Sequence, residues 1–355
     1  DYAHLQATRM DLLYQAFLRF PGRRAQMPEE LHLPWLEDYA KFAALHDQYQ
    51  TDCSQWPKEA VPDPQRMAFH TFLQDIFYQQ WFHLKDYANQ KGIRIMGDIP
   101  IYLSSHSAEF YFHPELFQVD GQGRLTAAAG VPPDAFTAEG QFWGNPLYDW
   151  EGHKRQVFLF WKERIHWCSQ LYDAIRIDHF RAFERYWSVP AGAETAREGR
   201  WEPGPGMDLL RVLTGWFPHI TYIAEDLGLL TPEVHQLREA AGLPGMKVLG
   251  FAFSGPGNDY LPHNYGSRRC VCYTGTHDND TALGKRSGLS RSGIWGPPAG
   301  RMSGRRCCGA AWAARRSCSW PRCRTTWPWA ARGGSTSPAW RRATGAGGWP
   351  PARPR

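Results

Sequence analysis

Apolar residues recur at helical spacing over residues 36–48 and again over 63–90, where Met67, Phe72, Leu73, Ile76, Phe77, Phe82 and Leu84 fall mostly on one side. Gly92 predicts the end of the second helix. Four short apolar runs follow a different pattern. IRIMGD at 93–98, AIRID at 174–178, ITYIAED at 220–226 and VCYTGTHDND at 271–280 have strand length, and each finishes on an acidic residue. Between them the pattern predicts helices over 153–170, near 207–216, and from an N-cap at Thr231 with Pro232 to about Gly242. A further strand, 246–253, precedes the last run. Residues 104–150 hold no sustained period and read as a long loop excursion, and 198–206 as a Gly/Pro-rich connection. The alternation predicts an α/β fold, with about five consecutive strands of a (β/α)₈ TIM barrel in one catalytic body, 1–284. Such barrels build their sites at the carboxyl ends of the strands, where these acids fall.

Charge changes the picture at the carboxyl end. The 355 residues carry a formal net charge of +5, yet 285–355 contains 15 Lys and Arg and no acid, which leaves 25 basic and 35 acidic residues in 1–284. The same 71 residues hold seven Trp and four Cys but one Ile, one Leu and no Val, Phe or Tyr. Branched aliphatic side chains supply most core volume, so no ordinary domain is expected there. A composition of Gly, Arg, Ala, Pro, Trp and Cys matches a GC-rich gene read out of frame, and 285–355 is read as a frame-shifted tail rather than a native domain. Its alternatives are a basic arm for nucleic acid or acidic surfaces and a zinc site at Cys307, Cys308, Cys318 and Cys323. The Arg residues form no stripe, and the Cys spacing fits no usual ligand pattern. Cys53, Cys168, Cys270 and Cys272 are too scattered for a disulfide framework, which points to a reducing, cytoplasmic setting. No run has the length of a membrane helix, and neither a membrane nor a nucleic-acid partner is expected.

The strand-end acids carry the chemistry. Arg176 and Asp178 lie two apart on one strand and share a face, so the arginine can hold the carboxylate ionised and aimed, as a nucleophile requires. A structural ion pair explains the same spacing equally well. Glu225 sits among apolar neighbours that would raise its pKa and suit it to general acid work, although an acid shortly before Gly is also a common turn residue. Gly275-Thr276-His277-Asp278-Asn279-Asp280 can be a divalent-metal site or a hydrogen-bonding platform for sugar hydroxyls, and the platform is favoured. Three carboxylates at successive strand ends suit glycosidic-bond chemistry.

GDIPIY at 97–102, GVPPDAF at 130–136, WGNPLYDW at 143–150, RIDHFR at 176–181, AEDLG at 224–228, LPGMKVL at 243–249, LPHNY at 261–265 and TGTHDND at 274–280 closely resemble the amylomaltase, or 4-α-glucanotransferase, family. The resemblance covers nearly all of 1–284. It implies a barrel related to the α-amylases, with Asp178 as nucleophile, Glu225 as acid/base and Asp278 as a carboxylate that stabilises the transition state. Arg176 would orient the nucleophile and His277 would hold the sugar, with Asp98, Trp143 and Asn145 near the glucan cleft. The implied reaction transfers α-1,4-glucan segments between maltooligosaccharides, starch or glycogen by a retaining double displacement, and needs neither metal nor organic cofactor. An α-amylase-type hydrolase and an inactive fragment are the alternatives. The resemblance further implies family sequence before Asp1 carrying the first barrel strands. It leaves Ala135 where some members carry an aromatic residue.

Overall fold

Helices open the first of two compact units, Asp1–Met246 and Lys247–Arg355. The computed structural model describes residues 2–19, 33–134, 137–228, 230–277 and 279. The predicted tail at 285–355 lies outside them. α1 (Tyr2–Arg19) and α2 (Leu36–Tyr49) precede the long α3 (Pro64–Gln90). α3 starts where its composition dictates: Asp63 Oδ1 accepts the Gln65 N–H at 2.7 Å, and Pro64 fills the first helical position, which has no N–H to satisfy. It ends at Gly92, whose φ of +70° lies in the left-handed region that favours glycine.

β1 (Met96–Ile99) begins later than the apolar run suggests. The Ile93 N–H closes the end of α3 on the Ala88 carbonyl at 2.9 Å, and the Ile95 N–H binds Asp173 Oδ2 at 2.7 Å, so neither enters the ladder. Gly97 is required within the strand, because a Cβ there would lie 2.1 Å from a carbon of the Tyr172 ring. The excursion expected to be loop contains α4 (Ala108–Phe112), β2 (Ala127–Val131) and β3 (Gln141–Pro146). After α5 (Lys154–Leu171) come β4 (Ala174–Ile177) and β5 (Arg185–Pro190). The expected Gly/Pro connection holds β6 (Arg200–Pro203), followed by α6 (Gly206–Trp216), β7 (Thr221–Ala224) and α7 (Pro232–Ala240).

Two sheets organise the first unit. β1, β4 and β7 pair in parallel in that order, with Asp98 level with Arg176 and Ile99 level with Ile177, which is in turn level with Ala224. All four residues of β4 are buried, as a central strand covered on both faces must be. Ile99, Ile175, Ile177 and Ala224 join Trp161 and Ile165 of α5 and Leu209 and Leu213 of α6 in one core cluster. Burial of each large side chain contributes about 1.5–3 kcal/mol. The second sheet is antiparallel, in the order β3-β2-β5-β6, and corrects the loop reading of 104–150 and 198–206. Its strands escaped the periodicity because β2 reads Ala-Ala-Ala-Gly-Val. At Gly130 a Cβ would come 2.6 Å from the Gln141 carbonyl oxygen.

β8 (Gly245–Val248) crosses into the second unit and forms a two-stranded sheet with β9 (Cys270–Tyr273). The strand predicted over 246–253 stops at Val248. Beyond it Leu-Gly-Phe-Ala-Phe-Ser lacks β-branched residues and winds into a 3₁₀ turn, Leu249–Ser254. Leu249, Ala252, Leu261 and Cys272 form a small core of their own. No described helix is long and apolar enough to cross a membrane.

Candidate active site

The carboxyl ends of the three parallel strands gather the acidic residues. Asp178 and Glu225 each stand one residue beyond a strand, and their backbones extend the ladder. The Asp178 N–H donates to Ile99 O and the Glu225 N–H to Ile177 O, both at 2.9 Å. Asp98, inside β1, shares its level with Arg176. Arg176 Nη1 donates to Asp98 Oδ2 at 2.5 Å and to Asp178 Oδ1 at 2.9 Å, and Nη2 donates to the same Asp178 oxygen at 2.9 Å. The guanidinium is almost fully buried, whereas the side chains of Asp98 and Asp178 are each 41% exposed. One buried cation therefore holds two carboxylates whose outer surfaces remain accessible. Burial opposes the charge of Arg176, but the Asp98 hydrogen bond and the charges of Asp98, Asp178 and Glu225 outweigh it and raise its pKa.

Glu225 sits in a different environment. Its Oε2 accepts the His179 N–H at 2.9 Å and its Oε1 the Leu227 N–H at 3.1 Å, while the Phe180 N–H donates to its backbone carbonyl at 3.1 Å. Burial, then the negative charge of Asp178, push its pKa from 4.5 to about 7; Arg176 and the two N–H bonds oppose the rise without cancelling it. A carboxyl poised near neutrality beside a carboxylate fixed by an arginine can donate and recover protons.

Sequence reasoning missed His179 as the residue that positions this carboxyl. It adopts φ +49°, ψ +48°, uncommon for a residue with a side chain, and this turn reverses the chain immediately after Asp178. Its N–H thereby reaches Glu225. Its ring lies 4.9 Å from that of Trp143 in an edge-on contact and 6.3 Å from that of Tyr102. Burial, then Arg181, lower its pKa to about 4, so the imidazole is neutral at neutral pH. No sequence period signals a single left-handed residue.

The remaining sequence-derived candidates divide. Trp143 is 39% exposed beside His179, and its indole N–H donates to Gln141 Oε1 at 3.0 Å. Asn145 Nδ2 donates to the Leu103 carbonyl at 2.8 Å and ties β3 to the segment after β1. The structure thus gives Asn145 a positioning contact within the protein. Asp226, the last acid of the ITYIAED run, is buried. Its Oδ1 accepts the Met246 N–H at 2.6 Å, and its Oδ2 faces Arg238 Nε at 3.5 Å. Gly245 makes room for this pair: a Cβ there would lie 2.3 Å from Asp226 Oδ2. Of the adjacent acids, then, Glu225 faces the site and Asp226 anchors the chain. His277 is exposed, and Asn279 Oδ1 accepts the Thr276 N–H at 2.9 Å, forming a turn just beyond β9. Asp278 lies outside the described residues.

Among the described residues one acid–thiol–imidazole group, Asp52, Cys53 and His106, brings potential metal ligands together. Each is engaged otherwise. His106 Nδ1 accepts the Cys53 N–H at 3.0 Å, and its Nε2 lies 3.2 Å from His46 Nδ1. Burial pushes the Cys53 thiol up to about 11, and Sγ donates to the Ser105 carbonyl at 3.4 Å. The donor set does not fit a metal ion.

Comparison with known proteins places the chain in a family. A family model described as 4-alpha-glucanotransferase matches residues 1–287. A 4-alpha-glucanotransferase of Thermus thermophilus is 45% identical over 308 residues, 80% of this chain and 61% of that protein. One of Aquifex aeolicus is 42% identical over 285 residues, covering 76% and 58%. The solved amylomaltase from Streptococcus agalactiae in complex with acarbose superposes with a TM-score of 0.77 at 32% identity, over 89% of this chain and 68% of that one. The fold is thus of the α/β barrel class expected from the strand alternation. The chain spans about three fifths of the length of the two curated relatives. It belongs to the 4-alpha-glucanotransferase family.

Proposed function

We propose that this member of the 4-alpha-glucanotransferase family transfers α-1,4-glucan segments between maltooligosaccharide, starch or glycogen chains by a retaining double displacement. The observation that carries the reading is the contrast between two neighbouring carboxyls. Asp178 is fixed on the buried Arg176, and Glu225 is raised to about 7. In the first step a carboxylate oxygen of Asp178 attacks the anomeric carbon while Glu225 gives its proton to the departing glycosidic oxygen. A glycosyl ester forms as the C–O bond breaks. In the second step the ionised Glu225 takes the proton of an acceptor 4-hydroxyl, whose oxygen displaces Asp178 and restores both carboxyls.

Asp98 completes the ring of charge around Arg176, and Trp143 offers an exposed indole for a sugar face beside His179. Asp278 and His277 retain the roles implied by the family motif, a carboxylate for the flattening ring and a hydrogen-bond donor to it. The four cysteines among the described residues form no disulfide, which suits a reducing cytoplasm. Incubating the 355-residue chain with maltotriose, with Asp178→Ala as control, tests the reading. Longer oligomers together with glucose, absent from the control, are expected. New reducing ends without longer oligomers would assign a hydrolase instead.

A further inference from the structure

We propose that a pocket on the antiparallel sheet, built from residues other than the strand-end carboxylates, is a second binding site for a neutral oligosaccharide, namely an α-glucan chain. The pocket encloses about 460 Å³, within the size of ordinary small-molecule sites. Its floor is set by strand alternation. Tyr186, Ser188 and Pro190 project from one face of β5, while Trp187 and Val189 take the other. Register places Glu202 opposite Tyr186 and Arg200 opposite Ser188, so both β6 side chains join the same face. Trp150 and Glu151, from the segment before α5, also line it.

Two features mark this as a built site. Ser188 is 6% exposed and lines the cavity, where its hydroxyl can both donate to and accept from a ligand hydroxyl. Tyr186 is equally buried, and its phenol oxygen accepts from Gln118 Nε2 at 2.9 Å, which leaves its own proton to donate.

The charges select the ligand class. Asp149, Glu151 and Glu202 face a single guanidinium, Arg200, so an anion would be repelled. A divalent cation needs several oxygens, yet Asp149 already accepts the Gly152 N–H at 2.9 Å and binds His153 at 2.7 Å, and Glu202 is held by Arg200. Carboxylates that accept, a guanidinium that donates and hydroxyls that do both suit a neutral polyol. Trp150, Pro190 and Pro203 offer apolar surface to the ring faces. The identity of the ligand as α-glucan rests on the proposed function; the pocket itself does not.

Titration of the 355-residue chain with maltohexaose, followed calorimetrically, tests the site. Two binding sites are expected in the wild type and one in Ser188→Phe, which fills the cavity. Glu151→Ala and Arg200→Ala alter exposed rim positions and do not challenge folding; each should weaken the second site about 10-fold, the worth of a charge-assisted hydrogen bond. A single site in the wild type, or two undiminished sites in all three variants, overturns the proposal. So does Ca²⁺ binding abolished by Glu151→Ala with no second sugar site. Maltotriose redistribution measured in parallel separates the two readings. Turnover with one site removes the second site alone, whereas two sites without turnover removes the transferase reading and keeps the pocket.

Discussion

The ends of β4 and β7 are built alike and behave unlike. Each strand is followed by one acid whose N–H extends the ladder at 2.9 Å to the neighbouring strand. Asp178 then meets a buried guanidinium through Nη1 and Nη2, while Glu225 meets two backbone N–H groups, burial, and the charge of Asp178. Backbone geometry therefore delivers carboxyls, and the groups packed around them decide which one is gripped by a cation and which one is raised toward holding a proton. At pH 7 a carboxyl of ordinary pKa 4.5 would be less than about 1% protonated, whereas Glu225 at about 7 is close to half protonated.

Removing one side of the contrast gives the largest effect. Asp178→Asn keeps the shape and removes the charge of the proposed nucleophile, and on the proposed function kcat for maltotriose transfer should fall by roughly 10⁴-fold or more. The same variant sharpens the comparison in a second way. Because the charge of Asp178 helps to raise Glu225, its loss should lower the Glu225 midpoint, as carboxyl ¹³C NMR titration would report. A midpoint left at about 7 would show that burial alone sets it.

Glu225→Gln comes next, with an expected loss of 10²–10⁴-fold, the usual worth of a positioned proton donor. In the wild type kcat/KM should fall as pH rises through about 7, since the free enzyme must carry the proton. Stability has the same sign. Glu225 has a folded pKa above its unfolded 4.5, so its contribution is fully present below 4.5 and is lost as pH rises through about 7. Glu225→Gln should therefore gain Tm relative to wild type at pH 8 and gain none at pH 4, measured by thermal melts at both.

Arg176→Lys asks how much the comparison owes to one cation. A lysine is a point donor and cannot span Asp98 and Asp178 in the planar geometry of a guanidinium. Misplacing the proposed nucleophile by a fraction of a bond length to an ångström should cost on the order of 10²-fold in kcat/KM. Steady-state kinetics at saturating and limiting maltotriose would separate this from a loss of binding.

The parallel strands were legible because each is a short apolar run closed by an acid, and the pairing of Arg176 with Asp178 followed from strand period alone. The choice between Glu225 and Asp226 was harder to read from spacing, since adjacent residues at a strand end differ only in which face they meet. Arg238 and the space above Gly245 claim Asp226, and both are tertiary facts. The antiparallel sheet was invisible for another reason. Its β2 strand is made of Ala and Gly, and the register of Trp187 on Trp201, rings 5.1 Å apart, is a contact between segments that no local pattern records. Ser188 and Tyr186 belong to that sheet, so the pocket was hidden with it.

The smallest effects belong to His179, whose backbone links the two strand ends. Its left-handed conformation is costly for most side chains, and asparagine tolerates it best after glycine. His179→Asn should keep the N–H aimed at Glu225 Oε2, leave the alkaline limb of the pH profile near 7, and lose only the ring contacts with Trp143 and Tyr102. His179→Val places a β-branched side chain in the same conformation and should cost about 1–2 kcal/mol of stability. Any relaxation of that turn lengthens the N–H bond to Glu225. Because that bond holds the pKa down, its weakening should move the alkaline limb to higher pH. A limb that stays in place in the valine variant, despite the lost stability, would assign the bond to folding and leave burial and Asp178 in control of the proton.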